Sequence, residues 1–256
     1  MLTKNENLAM AAVILAAGKG KRMKSDIPKV LHKVGGRPII EYVVKTAKSL
    51  KVQKVIVVIG HKGQMVKDFL KPYQLEFAWQ KRLLGTGHAL LQTKDFLSDF
   101  QGTLLVLSGD VPFLRPETVS GLIHTHRKTQ ASATVLTALL EDAEGYGRVI
   151  RGKDGGVEKI VEQKDATPAQ RKKKEINTGT FCFDSKLIFP ALNQVEKENE
   201  QGEYYLTDVV KILRKEGYKV SAFQAKNPQE TMGINSLEQL RQMDKLLANG
   251  QIEVSV

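Results

Sequence analysis

Runs of consecutive apolar residues alternate along the chain with segments whose apolar positions recur at helical spacing. The strand-like runs are Ala12–Ala16, Lys54–Ile59, Leu75–Trp79, Thr103–Leu107, Ser132–Leu139, Asn177–Phe183 and Lys219–Phe223. Between them the spacing predicts helices over Pro38–Ser49, Thr86–Leu97, Pro116–Lys128, Tyr205–Lys215 and Ser236–Ala248. Val55-Ile56-Val57-Val58-Ile59 and Leu104-Leu105-Val106-Leu107 are apolar without alternation, the pattern of strands covered on both faces. Strand following helix in this order predicts an α/β fold with an open, mostly parallel sheet flanked by helices.

One stretch departs from that rhythm. Gly147–Arg151 and Val157–Val161 flank Asp154-Gly155-Gly156, a strong hairpin turn signal, so an antiparallel elaboration is expected within residues 140–205. Near the end, Ser236-Leu237-Glu238-Gln239 has the spacing of a capping box, and Asn249-Gly250 that of a helix stop.

Composition narrows the setting. No apolar run reaches the length of about 20 residues that a membrane span needs. The first ten residues are polar, without the apolar core of a signal peptide, which points to the cytoplasm. Cys182 is the single cysteine, so neither an internal disulfide nor a cysteine metal cluster is expected. The formal net charge of +11 suits a phosphate-rich ligand and would also suit nucleic acid. The positive residues are scattered, however, and do not interleave with aromatic ones. The only dense run, Arg171-Lys172-Lys173-Lys174, reads as a solvated loop or helix face.

The segments that could carry chemistry lie at strand ends. Leu15-Ala16-Ala17-Gly18-Lys19-Gly20-Lys21-Arg22-Met23 follows the first strand, where open α/β sheets bind ligands. It fits neither the dinucleotide fingerprint, since Met23 stands at the third glycine position, nor the P-loop. It is either a tight turn or a phosphate loop of another kind, with Arg22 and Lys29 as cations for developing negative charge. Asp110, closing the buried strand at Gly109-Asp110-Val111-Pro112, could cap its turn or hold Mg²⁺. Asn235 could add a second oxygen or cap the last helix. Gln80, with Gly85 and Thr86, could read a base edge; the plainer reading is a loop with a Thr N-cap. Gly147, Glu162 and Asn177 gather around the predicted hairpin, and unpaired polar groups at 162 and 177 would be costly without a ligand. The histidines, His88 included, have no partner at metal-ligand spacing.

These segments, LAAGKGKRMKSDIPKVLH, QKRLLGTGHAL, GDVPFL, GYGRVI, IVEQKDAT, EINTG, EYYLTD and MGIN in that order, resemble the sugar-1-phosphate nucleotidylyltransferases. The match is closest to the uridylyltransferase domain of bacterial N-acetylglucosamine-1-phosphate uridylyltransferases. The resemblance implies a Rossmann-like mixed sheet, with residues 1–235 as the nucleotidylyltransferase domain and 236–256 as a C-terminal helix and tail. It implies that Leu15, Ala16, Ala17, Gly18, Gln80, Gly85 and Thr86 hold UTP, and that Arg22 and Lys29 bind its phosphates. Asp110 and Asn235 would ligate Mg²⁺, and Gly147, Glu162, Asn177 and Asn235 would face N-acetylglucosamine 1-phosphate. A relative using glucose 1-phosphate or dTTP, or a nucleotide-sugar sensor without catalysis, is the alternative; no nucleic-acid or membrane partner is implied. Ser108 stands where Tyr is common, and the 256 residues stop where the bifunctional relatives continue into a β-helix acetyltransferase domain, which implies either a monofunctional relative or a piece cut at that boundary. The oligomeric state is left open.

Overall fold

In the computed structural model, which describes residues 9–252, the apolar runs become strands and the periodic segments helices. The order is β1 (Met10–Leu15), β2 (Lys33–Val34), β3 (Arg37–Pro38), α1 (Ile39–Ser49), β4 (Lys54–Ile59), α2 (Gly63–Leu70), β5 (Glu76–Trp79), α3 (Thr86–Leu91) and β6 (Thr103–Ser108). There follow α4 (Pro116–Thr129), β7 (Ala133–Leu139), β8 (Arg148–Arg151), β9 (Val157–Val161), α5 (Pro168–Arg171), β10 (Glu175–Asp184), α6 (Ser185–Leu192), α7 (Asp208–Lys215), β11 (Val220–Gln224) and α8 (Leu237–Ala248).

Seven strands run across the main sheet in the order β11-β7-β10-β6-β1-β4-β5, and β8 and β9 extend it from β10. β1, β4, β5 and β6 pair in parallel. β10 runs antiparallel between β6 and β7, and β8 with β9 forms the expected hairpin. The unbroken apolar runs follow from this placement. Ala11, Val13, Ile56, Val58, Leu104 and Val106 face one core, packed with Leu90 of α3, Ile188 of α6 and Leu213 of α7. Ala12, Ile14, Val55, Val57, Leu105 and Leu107 face the other, under Val43 of α1, Val66 of α2 and Leu122 of α4. Period-two side chains on a doubly covered sheet must be apolar at every position.

The chain leaves β1 toward β4 and β5 and returns to the other side of β1 with β6. The ends of β1 and β6 are therefore neighbours at the reversal, with Leu15 opposite Ser108. A third cluster seats α8 through Met243 against Val34, Tyr42, Phe113 and Ile234.

Several local expectations need correction. The helix expected over Thr86–Leu97 ends at Leu91 and resumes as a single 3-10 turn at Asp95–Leu97. α2 and α6 were not expected at all. Lys62, the N-cap of α2, is left-handed, and α6 holds Pro190 within its last turn. The capping box at Ser236 is half-formed. Ser236 Oγ accepts from Gln239 N at 3.2 Å, but Gln239 Oε1 accepts from Asn235 N at 2.8 Å instead of from Ser236.

Candidate active site

The turn after β1 is held from below and open above. Ala16 N–H donates to Val58 O at 2.9 Å, and Ala17 O accepts from His61 N at 3.2 Å, so Leu15–Ala17 continue the sheet. Gly18 is exposed, and a β-carbon there would meet nothing within 4 Å. Gly20 lies at φ +58°, where a β-carbon would come within 2.7 Å of Lys29 Cβ. Only glycine fits both the left-handed backbone and that approach, so the turn folds back onto Lys29. Arg22, on the 3-10 turn Lys21–Met23, is exposed and has no hydrogen bond or ion pair among the described residues.

Lys29 joins three distant segments. Its Nζ lies 2.5 Å from Asp110 Oδ2 and donates to Asn235 Oδ1 at 2.9 Å. Asp110 O accepts from Ile234 N at 2.9 Å, and Gly109 N donates to Leu15 O at 2.9 Å, so backbone bonds fix this meeting of β1, β6 and the segment before α8. Asn235 is not the N-cap of α8; Ser236 is. Its backbone is steadied by Gln239, leaving the amide to face Lys29. A carboxylate and an amide oxygen already converge on one cation, and such hard oxygens suit a small divalent ion that keeps water and phosphate as its other ligands. No group of three or more His, Cys, Asp or Glu able to hold a metal occurs among the described residues, so these two oxygens would be the protein's share.

On the other flank of the turn, Gln80 is buried at 3% exposed, with its amide Nε2 3.0 Å from both Gly85 O and His88 Nδ1. Gly85, at φ +107°, is the N-cap of α3, and a β-carbon there would strike Tyr204 O at 2.5 Å. Thr86 is therefore the first residue of the helix, not its cap. Its hydroxyl accepts from Leu206 N at 3.0 Å.

The sugar-side candidates do come together. Asn177 N donates to Gly147 O at 2.9 Å, and a β-carbon on Gly147 would lie 3.3 Å from Glu162 Oε2. Glu162 and Asn177, where unpaired polar groups would be costly without a ligand, each find one protein partner. Glu162 Oε1 accepts from Thr207 Oγ1 at 2.9 Å, and Asn177 Oδ1 accepts from Gly179 N at 3.0 Å. Each keeps one polar atom without a protein partner among the described residues: Glu162 Oε2 and Asn177 Nδ2. Burial, then the charges of Asp208 and Asp165, raises the Glu162 carboxyl above its ordinary pKa, while Thr207 opposes them. Tyr146, beside Gly147, links the two sides. Burial raises its phenol, the Gly233 backbone lowers it, Asp110 raises it and Arg22 lowers it. Ser108 Oγ donates to Gly179 O at 3.2 Å, tying the end of β6 to the irregularity in β10 between Asn177 and Phe181.

Three supporting residues escaped sequence reasoning. His88, Thr207 and Gln239 each hold a candidate group by a hydrogen bond. All three lie in stretches the sequence singles out, QKRLLGTGHAL, EYYLTD and Ser236–Gln239, but their spacing says nothing of the group each one holds.

An open glycine turn at the reversal of an α/β sheet, with a lysine, a carboxylate and an amide meeting beside it, lies where such sheets bind their ligands. Residues 11–229 match the model of the nucleotidyl transferase family, and the chain belongs to that family. It is 48% identical over 238 residues to the Bifunctional protein GlmU of Bacillus cereus (strain AH187), a match covering 93% of this chain and 52% of that one. The Bifunctional protein GlmU of Bacillus anthracis (strain CDC 684 / NRRL 3495) matches to the same extent. The chain thus spans about half the length of these curated relatives. A UDP-glucose pyrophosphorylase solved with UDP-glucose shares the fold at 18% identity, with a TM-score of 0.76 over 95% of this chain and 100% of that one.

Proposed function

We propose that the chain transfers a uridylyl group from UTP to N-acetyl-α-D-glucosamine 1-phosphate, forming UDP-N-acetylglucosamine and pyrophosphate. The observation that carries this reading is the meeting of Lys29, Asp110 and Asn235 beside the open Gly18 turn. Likeness over 93% of the chain to GlmU proteins supports it. We assign residues 1–235 to the transferase domain and 236–256 to a helix and tail, and place the reaction in the cytoplasm.

The sugar phosphate is its own nucleophile, because the second pKa of a phosphate monoester is near 6 and the dianion prevails at neutral pH. This accounts for a site built without a general base. A phosphate oxygen attacks the α-phosphorus of UTP, the bond from that phosphorus to the oxygen bridging the β-phosphate breaks, and its electron pair leaves with pyrophosphate. The Leu15–Gly18 backbone holds the nucleotide, with Gln80, Gly85 and Thr86 at the base. Arg22 and Lys29 stabilise the charge that develops on the phosphates. Gly147, Glu162 and Asn177 hold the sugar, Glu162 Oε2 as an acceptor and Asn177 Nδ2 as a donor. Mg²⁺ on Asp110 and Asn235, with Asn235 at the sugar's edge, would neutralise phosphate oxygens during the displacement.

Pyrophosphate release is the test, with UTP, dTTP and CTP each offered against N-acetylglucosamine 1-phosphate and glucose 1-phosphate. The N-acetyl sugar with UTP is expected to be fastest. Tenfold faster turnover of glucose 1-phosphate overturns the sugar assignment, and no pyrophosphate from any pair overturns the reaction.

A further inference from the structure

The Gln80 amide has only one orientation available to it. Its backbone N–H donates to Ile59 O at 2.8 Å, which fixes the residue at the end of β5. One end of the amide lies 3.0 Å from Gly85 O. A carbonyl oxygen only accepts, so that end is the NH₂. The same nitrogen lies 3.0 Å from His88 Nδ1 and has one proton left to give; Gln92 Nε2, which donates to His88 O at 3.0 Å, lies farther from the other ring nitrogen, 3.4 Å from His88 Nε2, so the shorter contact is the hydrogen bond and Nδ1 is its acceptor. Burial, followed by the charges of Arg82 and Lys197, lowers the pKa of the imidazole, which favours its neutral form. Tyr204 backs the ring, stacked at 22° with centroids 6.2 Å apart. Its backbone is pinned by Gly87 N to Tyr204 O and Tyr204 N to Leu84 O, both 2.8 Å. With both amide protons engaged, Gln80 offers Oε1, which no protein group meets among the described residues.

Such an amide matches one base edge and opposes another. Uracil presents an imide N–H at N3, whereas cytosine presents a lone pair there. A freely turning amide would serve both. We infer that His88 is a positioning residue that, as the second acceptor beside Gly85 O, locks Gln80 as an acceptor toward the ligand and so selects a uracil-type base over cytosine. The inference rests on the nucleotide site proposed above and adds the device that sets its base preference.

Equilibrium binding of UTP and CTP to the full chain, with Mg²⁺ and no sugar phosphate, tests it. His88→Phe keeps a ring against Tyr204 and removes the acceptor. It is expected to lower the UTP/CTP affinity ratio by about tenfold or more, the size of one buried hydrogen bond left unmade. His88→Asn returns an acceptor oxygen near the Nδ1 position and is expected to hold the ratio within about threefold of wild type. Melting curves of both variants verify that they are folded. A His88→Phe ratio equal to wild type overturns the inference. So does an equal collapse in His88→Asn, which would mean that the ring matters only for packing, or a wild-type chain with no preference. A chain that prefers UTP, loses the preference in His88→Phe and yet turns over no sugar phosphate breaks the proposed reaction and upholds the lock.

Discussion

On the turn after β1 a β-carbon at Gly18 would meet nothing and Arg22 is exposed without a hydrogen bond or ion pair among the described residues, whereas Glu162, Asn177 and Gly147 are bonded to or packed on one another and their neighbours. The side proposed for phosphate keeps its cation in solvent, and the side proposed for the sugar keeps its carboxyl where burial opposes ionisation. Long-range attraction for a polyanion survives exposure, because the ligand brings many charges. Discrimination among sugars needs fixed donors and acceptors in a dry place. Substitutions on the two sides should therefore fail differently.

The largest expected effect lies where the two sides meet. Asp110→Ala removes the carboxylate that pairs with Lys29, and turnover in an assay of pyrophosphate release is expected to fall about a thousandfold or more. Turnover within tenfold of wild type would refute the role given to Asp110. Arg22→Ala is expected to cost about a hundredfold in kcat while shifting unfolding free energy by less than about 0.5 kcal/mol, since the side chain is exposed and unpartnered. A loss of stability equal to a core mutation would erase the contrast. Glu162→Gln is the converse. The sugar-phosphate KM is expected to rise about tenfold, yet the variant is expected to melt above wild type at pH 7. The sign follows from the raised carboxyl. Wild-type stability from this group is complete below its ordinary value of 4.5 and declines as pH rises through the higher folded value, so the variant's advantage vanishes near pH 4. Melting curves at the two pH values decide it. The smallest effect belongs to Gln239→Ala, which frees the backbone of Asn235. Stability is expected to drop about 1 kcal/mol by denaturant titration, with turnover reduced only a few-fold.

Most of the sheet was legible because its signal is local. Lys54–Ile59 could be read to the residue, since after Lys54 every position of this doubly covered strand is apolar. α6 was hidden because Leu187-Ile188-Phe189-Pro190-Ala191-Leu192 has no polar face and carries a proline. The site divides in the same way. Asp110 and the glycine turn stand out as punctuation at strand ends, but Lys29 and Asn235 meet across 206 residues, which no spacing rule reaches. His88 was passed over because a histidine was weighed as a metal ligand and not as a hydrogen-bond acceptor for Gln80. The bond from Thr207 to Glu162 was not legible either, because the two residues lie 45 apart in the chain.

The ammonium of Lys29 has one more consequence. With one positive and one negative charge 2.5 Å apart, the Lys29–Asp110 pair carries no net charge of its own. A bare divalent ion reaching it finds little net attraction and must evict a tethered rival. An ion already riding on a triphosphate brings anionic oxygens, to which the evicted ammonium can turn. Metal and nucleotide should therefore be admitted as one parcel. In a titration followed by Mn²⁺ electron paramagnetic resonance, the chain alone is expected to bind the ion at least tenfold more weakly than the chain with UTP.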